Sequence, residues 1–159
     1  MKRRAAAIFA ILLLVLAPGG CGSKSADSSL PVTRMKIGPE EFNLEIATSL
    51  QDQETGLMHR DEMDSDHGMI FPFPDEQVRT FWNHDVRFNL DLIFLDAGGA
   101  VVSIKQLKAY NEKGVSSDAI AKYAIELNAG TADRIHLTVG DRLEVPKDAV
   151  NPANQSPSK

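Results

Sequence analysis

The chain is poor in the residues and spacings that announce common chemistries. Cysteine occurs once, at Cys21, which excludes an internal disulfide and a Cys-x-x-Cys metal knuckle. No two of the four histidines stand four apart, and none lies in a His-Glu-x-x-His pattern, the arrangement that presents two imidazoles to zinc. His59, His67 and His84, with Asp61, Asp64, Asp66 and Asp85 near them, read as residues of polar surface loops rather than as a ligand set. His136 is isolated. The acidic run from Asp61 to Asp66 lacks the alternating ligands, central glycine and terminal glutamate of a calcium loop. Ser103, Ser116 and Ser117 sit in no nucleophile elbow. Met58, Met63 and Met69 suit gap-filling in a core better than copper ligation. No stretch repeats at a fixed spacing. A hydrolase, a disulfide scaffold and a zinc or calcium module are therefore disfavoured, and no cofactor is expected.

What is present begins with an address. Lys2, Arg3 and Arg4 precede an apolar run from Ala5 to Leu16, then Ala17-Pro18-Gly19-Gly20-Cys21. This is secretory signal architecture over residues 1–20, and the run is too short for an ordinary transmembrane helix. Cys21 falls just after the small residues, where a lipoprotein signal places its lipidated residue. Pro18 stands where such signals usually carry leucine. Several acyl chains at about 0.8 kcal/mol per buried methylene would hold the protein on a membrane. Gly22 gives no aspartate-type retention signal, so the expectation is an exported protein, lipid-anchored to a bacterial envelope and facing the periplasm or outer surface. Without the three basic residues of the signal, fourteen lysines and arginines face twenty-two acidic residues, a net charge of −8. A body of that sign has no basic stripe for a phosphate backbone, so nucleic acid is not an expected partner. The expected partners are the membrane, through the anchor, and an unknown small molecule or envelope protein.

Residues 21–31 carry the cysteine and a Gly/Ser/Ala/Asp-rich tether, and 147–159 read as a disordered tail. Between them, 32–146 is a normal size for one domain. Phe88 to Leu95 is its most apolar run: Phe88, Leu90, Leu92 and Phe94 share one face of a strand, and Asn89, Asp91, Ile93 and Leu95 the other. Such a strand is covered on both sides, and an enclosed Asp91 needs a partner. Val32 to Ile37 and Phe42 to Ala47 read as strands joined at Gly38-Pro39, the second with one wet face carrying Asn43 and Glu45. Thr48 or Ser49 can cap a short helix bearing Leu50, Leu57 and Met58 on an apolar stripe. Further strands are expected at Gly68 to Phe73, where Pro72 demands an edge or a bulge, and at Val78 to Trp82, Val101 to Leu107 and Lys122 to Asn128, and Val139 to Val145 ends the core around the turn Gly140-Asp141. Lys108 to Asp118 reads as a long loop, and Ala129 to Ile135 as one or two helical turns. The pattern predicts an α+β fold: a small β-rich domain whose curved mixed sheet approaches a barrel, with two short helices.

Five motifs in order carry a resemblance: Gly56-Leu57-Met58-His59-Arg60, Gly68 to Phe73, Phe81-Trp82, Leu90 to Phe94, and Ile125-Glu126-Leu127-Asn128-Ala129-Gly130. Together they resemble the domain of unknown function 192 family, small domains often found in exported or membrane-anchored prokaryotic proteins. The resemblance implies a β-barrel-like α+β fold and no particular reaction. Where that pattern continues after Phe-Trp with Met-Lys-Asn-Thr and a proline before Leu-Asp, this chain has Asn83, His84, Asp85, Val86 and Asn89.

Within the motifs, Arg60, Trp82, Asp91, Glu126 and Asn128 form the candidate site, with Arg60 facing Asp91 or Glu126 and Trp82 as one wall. Two arrangements are open. One is a pocket in which the arginine fork holds an acidic or carbonyl ligand. The other is a closed ion-pair network that fixes strands and binds nothing. The favoured function is a non-enzymatic binding or accessory domain of the envelope. The alternative is an enzyme or metal-dependent site centred on Arg60, His84, Asp91 and Glu126. The anchor has its own test: Cys21→Ser should yield soluble or unprocessed protein on fractionation, and a mutant still processed and membrane-bound refutes it.

Overall fold

The computed structural model describes residues 30–150. The signal-like segment 1–20, the expected lipidation site Cys21 and most of the tether lie outside the described residues, as does the tail from residue 151. The elements run β1 (Val32–Ile37), β2 (Glu40–Ile46), α1 (Leu50–Thr55), β3 (His67–Gln77), β4 (Thr80–Phe81), β5 (Leu90–Leu95), β6 (Val101–Leu107), β7 (Val115–Ser116), β8 (Ala121–Asn128), α2 (Thr131–Arg134) and α3 (Lys147–Val150). Six strands form one mixed sheet in the order β1-β2-β3-β8-β5-β6, and β4 pairs with β7 in a separate ribbon. Only β2 and β3 run parallel. Their crossover consists of α1 and the loop behind it. The β-rich α+β class expected from the sequence is the one observed. The sheet stays open rather than closing into a barrel, and three short helices accompany it instead of two.

The sheet is covered on both faces. Every residue of β5 is buried, and its alternation splits them between two clusters. Ile93 and Leu95 join Phe42, Leu44, Ile125 and Leu127 under α2, α3 and the segment around Leu143. Leu90, Leu92 and Phe94 join Met69, Phe71 and Ala124 beneath Leu57 and Val86. The last strand to enter, β8, lies between β3 and β5, so its residues meet neighbours on all four sides.

Local chemistry explains most departures from the expected elements. Ser49, not Thr48, caps α1, its Oγ accepting from the Asp52 amide at 3.0 Å. The helix ends at Thr55 and buries no residue of its own; Leu50 is 73% exposed, whereas Leu57 is buried just beyond the helix. Pro72 lies beyond the last β2–β3 pair at Ile70, so that side of β3 has no partner strand there and no ladder bond is lost, and the β3–β8 register shifts between Pro72 and Gln77. The expected strand over Val78 to Trp82 shrinks to β4, and its partner β7 forms inside the segment expected to be a loop. Val139 to Val145 closes the core as expected, through one bridge, Ala100 to Arg142, with Leu143 buried. The expected tail beginning at 147 opens instead with α3, whose Ala149 is fully buried.

Gly68 marks the tightest approach of β3 to its neighbours. A Cβ there would lie 2.5 Å from the Glu126 carbonyl oxygen, 2.6 Å from Leu127 Cδ2 and 2.8 Å from Leu44 Cδ2. Gly68→Ala should therefore cost about 1–3 kcal/mol of stability through overpacking. An unchanged denaturant midpoint would show that the three strands are not packed so closely.

Candidate functional site

Strand register sorts the sequence-predicted residues before any side chain is considered. Asp91 pairs with Leu127 and Leu92 with Glu126 across β5 and β8. Asp91 and Glu126 thus project from opposite faces of the sheet. The expected pairing of Arg60 with Asp91 is not formed. The Asp91 carboxylate accepts from the Ala132 amide at 2.8 Å, satisfying a free amide at the start of α2, which the αL residue Gly130 (φ 84°) leads into. Asn128 is also structural: its Nδ2 donates to the Met63 and Asp64 carbonyls at 2.9 and 3.0 Å, pinning the loop before β3.

On the other face, Glu45, Met69, Glu126 and Leu92 stand in one row across β2, β3, β8 and β5. Arg60, from the segment after α1, lies over this row and makes a bidentate pair with Glu45 at 2.6 and 2.7 Å. Both partners are largely enclosed, with side chains 15% and 9% exposed. Sequence reasoning placed Glu45 on a wet face, so this partner was missed. Its shared face with Asn43 was the correct part; the Arg60 segment covers what alternation alone leaves open.

Glu126 has no hydrogen bond from a side chain among the described residues, although Arg60 acts on it through space. It is 5% exposed, and burial pushes its carboxyl from the ordinary 4.5 up to about 8, against the opposing charge of Arg60. At neutral pH it is mostly a carboxylic acid, offering one donor and one acceptor. Because the folded carboxyl holds its proton more tightly than the unfolded one, its contribution to stability is greatest below about 4.5 and declines as pH rises toward 8.

The Glu126 side chain reaches a cavity of about 680 Å³ between α1, β3 and the β4 segment. Phe71, Phe73, Phe81 and Trp82 line it. Phe81 is the hub, edge-to-face with Phe71 at 5.1 Å, Phe73 at 6.3 Å and Phe94 at 5.7 Å. The spacing of Phe71 and Phe73, two apart on a strand, could have announced a shared aromatic face. Leu50, Val78 and Trp82 line the same cavity and remain 73%, 56% and 47% exposed. Arg79 stacks its guanidinium 4.0 Å from the Phe73 ring centre and is tied to Asp75 at 2.6 Å. The Asn83 amide nitrogen donates to the Phe88 and Lys108 carbonyls at 3.2 and 2.9 Å, while its Oδ1 is buried without a partner among the described residues.

His84 lines the cavity with Glu126 and lies 3.4 Å from Glu112. His59 pairs with Asp85 at 2.6 Å and His67 with Asp66 at 2.9 Å, so the three loop histidines have three separate acidic neighbours. Among the described residues, no group of three histidine, cysteine or carboxylate side chains is placed to hold a metal ion. Of the residues named from sequence, Trp82, His84 and Glu126 meet at one cavity; Arg60 lies beside Glu126, and Asp91 and Asn128 serve elsewhere.

A mixed open sheet with an aromatic cavity on one face and a buried acid in its wall defines a small β-rich α+β domain. The chain belongs to the domain of unknown function 192 family, described as "Uncharacterized ACR", which it matches over residues 32–145. A protein from Sinorhizobium meliloti 1021, described provisionally as a transcription regulator, has a crystal structure with a TM-score of 0.69 at 30% identity, covering 75% of this chain and 97% of its own. A protein of unknown function from Novosphingobium aromaticivorans DSM 12444 gives a TM-score of 0.65 at 26% identity, covering 73% and 85%. No curated protein matches the chain.

Removing Arg60 would take away the bidentate partner of the enclosed Glu45 carboxylate. Arg60→Ala should cost about 3–5 kcal/mol, and combining it with Glu45→Gln should give strongly non-additive losses. Arg60→Ala with Asp91→Asn should be additive, because the sheet separates them. Coupling between the latter pair in denaturant titrations, and none between the former, would reverse the assignment.

Proposed function

We propose that this protein is a lipid-anchored component of a bacterial envelope whose domain binds a small molecule with an apolar body in the Glu126 cavity, without covalent chemistry. The observation that carries the reading is the cavity: about 680 Å³, four aromatic side chains in its lining, and apolar residues left exposed among them. Cavities of roughly 300–1,000 Å³ with apolar walls and few polar groups are the usual form of a small-molecule site. Leaving Leu50, Val78 and Trp82 in water is unfavourable unless something covers them. The signal-like N-terminus and Cys21 support the location, and the acidic balance of the chain supports a partner other than nucleic acid.

An acid–base enzyme is the second reading, favoured by one observation: a carboxyl holding its proton to about pH 8 in a cavity that His84 also lines. The two readings part over the fate of the ligand, which a binding domain returns unchanged.

Trp82 is the sole tryptophan and reports on the cavity directly. Titrating the full chain with 2-phenylethylamine, 2-phenylethanol and 3-phenylpropanoate should shift its emission for at least one probe, with a dissociation constant near or below about 1 mM. Val78→Asp puts a charge at an exposed lining position, so it should weaken binding while changing stability by no more than about 0.5 kcal/mol. No response to any probe would refute the binding reading; chemical conversion of a bound probe would favour the enzyme.

A further inference from the structure

We propose that the ligand of this cavity is an organic cation, a protonated amine on an apolar body, whose ammonium group pairs with the Glu126 carboxylate. The inference rests on the binding reading above and names its ligand class. It follows from the charges around the cavity. Arg79 has Asp75 at 2.6 Å, Arg60 has Glu45 at 2.6 and 2.7 Å, and Lys105, in register beyond Leu92, has Asp118 at 2.6 Å. These three cations each already hold a carboxylate of their own, and the Lys122 ammonium, on the same face of β8, donates to the Pro74 carbonyl at 2.7 Å. Glu126 is enclosed among apolar side chains with no such ion pair, so its anionic form lacks the close cation that enclosure demands.

The aromatic lining points the same way. Ring faces attract cations, and the cavity already shows this chemistry in Arg79 over Phe73, with Phe71, Phe81 and Trp82 as further rings. Glu54 of α1 adds a second acidic side chain to the lining. An anionic ligand would gain nothing from Arg60 or Arg79, whose guanidinium groups are engaged. A neutral ligand would use the walls and leave the acid to its proton.

The proton balance is explicit. Below about pH 8 the empty site holds the Glu126 carboxylic acid. On binding, the ammonium keeps its protons, the carboxyl becomes a carboxylate, and one proton leaves to solvent. The titratable and charged groups around it are Arg60, Glu45, Glu54, Arg79, Lys105, Lys122 and His84. Of these, His84 lies at the exposed side of the lining beside Glu112.

The experiment is calorimetric titration of the full chain with 2-phenylethylamine, 2-phenylethanol and 3-phenylpropanoate, in two buffers of different ionisation enthalpy. At pH 7 the amine should bind at least about tenfold more tightly than the alcohol, and the carboxylate weakest of the three. Close to one proton should be released per amine at pH 6–7. Amine affinity should rise by up to about tenfold per pH unit and level off near 8. Glu126→Gln keeps a neutral group of the same shape; it should retain alcohol binding and lose both the amine preference and the proton release. Should that variant fail to fold, the wild-type proton count and pH profile still decide. Alcohol or carboxylate binding as tight as the amine, or amine binding with no proton released, overturns the proposal and leaves the binding reading standing. Silence from all three probes overturns both.

Discussion

The position of β8 between β3 and β5 is the constraint on which the rest of the domain depends. A strand enclosed on both edges and both faces has no position from which a side chain can reach open water at its centre. Glu126 lies near that centre, opposite Met69 on one side and Leu92 on the other. Alternation then decides which face receives the acid, and it is the aromatic face rather than the one carrying Ile125 and Leu127. The row from Glu45 to Leu92, the Arg60 clamp at its end and the position of the acid in the cavity lining are consequences of that one register.

This arrangement sets stability against charge. An ionised Glu126 would be enclosed with only the through-space charge of Arg60, so the fold keeps the proton instead. Glu45, two strands away in the same row, has the opposite solution: a bidentate arginine at hydrogen-bond distance, leaving the pair closed. Two acids on one face are thus treated differently, and the difference separates a structural clamp from a group with unused capacity.

The sheet was legible in the sequence where apolar alternation was strong. Phe88 to Leu95, Lys122 to Asn128 and Phe42 to Ala47 read as strands with the observed alternation of side chains, because period-two patterning is a local property. β5 begins only at Leu90, however, and the expected wet face of β2 is covered at Glu45. The elements that failed were those whose form depends on distant partners. Val78 to Trp82 has strand-like residues, but only β7 is available to pair with it, and that ribbon is two residues long. The candidate site was half legible for the same reason. Motif membership brought out Trp82 and Glu126, whereas joining Arg60 to Asp91 required knowing which face each strand turned inward. Sequence proximity carried no information about Glu45, fifteen residues before its arginine.

The strand order has a temporal side. β3 is flanked by β2, which precedes it, and by β8, which is made some fifty residues later; β5 likewise awaits β8. A chain emerging from its N-terminus must therefore carry β3 and β5 as unpaired edges, with Phe71 and Phe94 uncovered, until the last strand inserts. Contacts of such long sequence separation fold slowly because the intervening loops must close first. The consequence is an all-or-none closure: the sheet cannot lock until nearly all of the domain has been made.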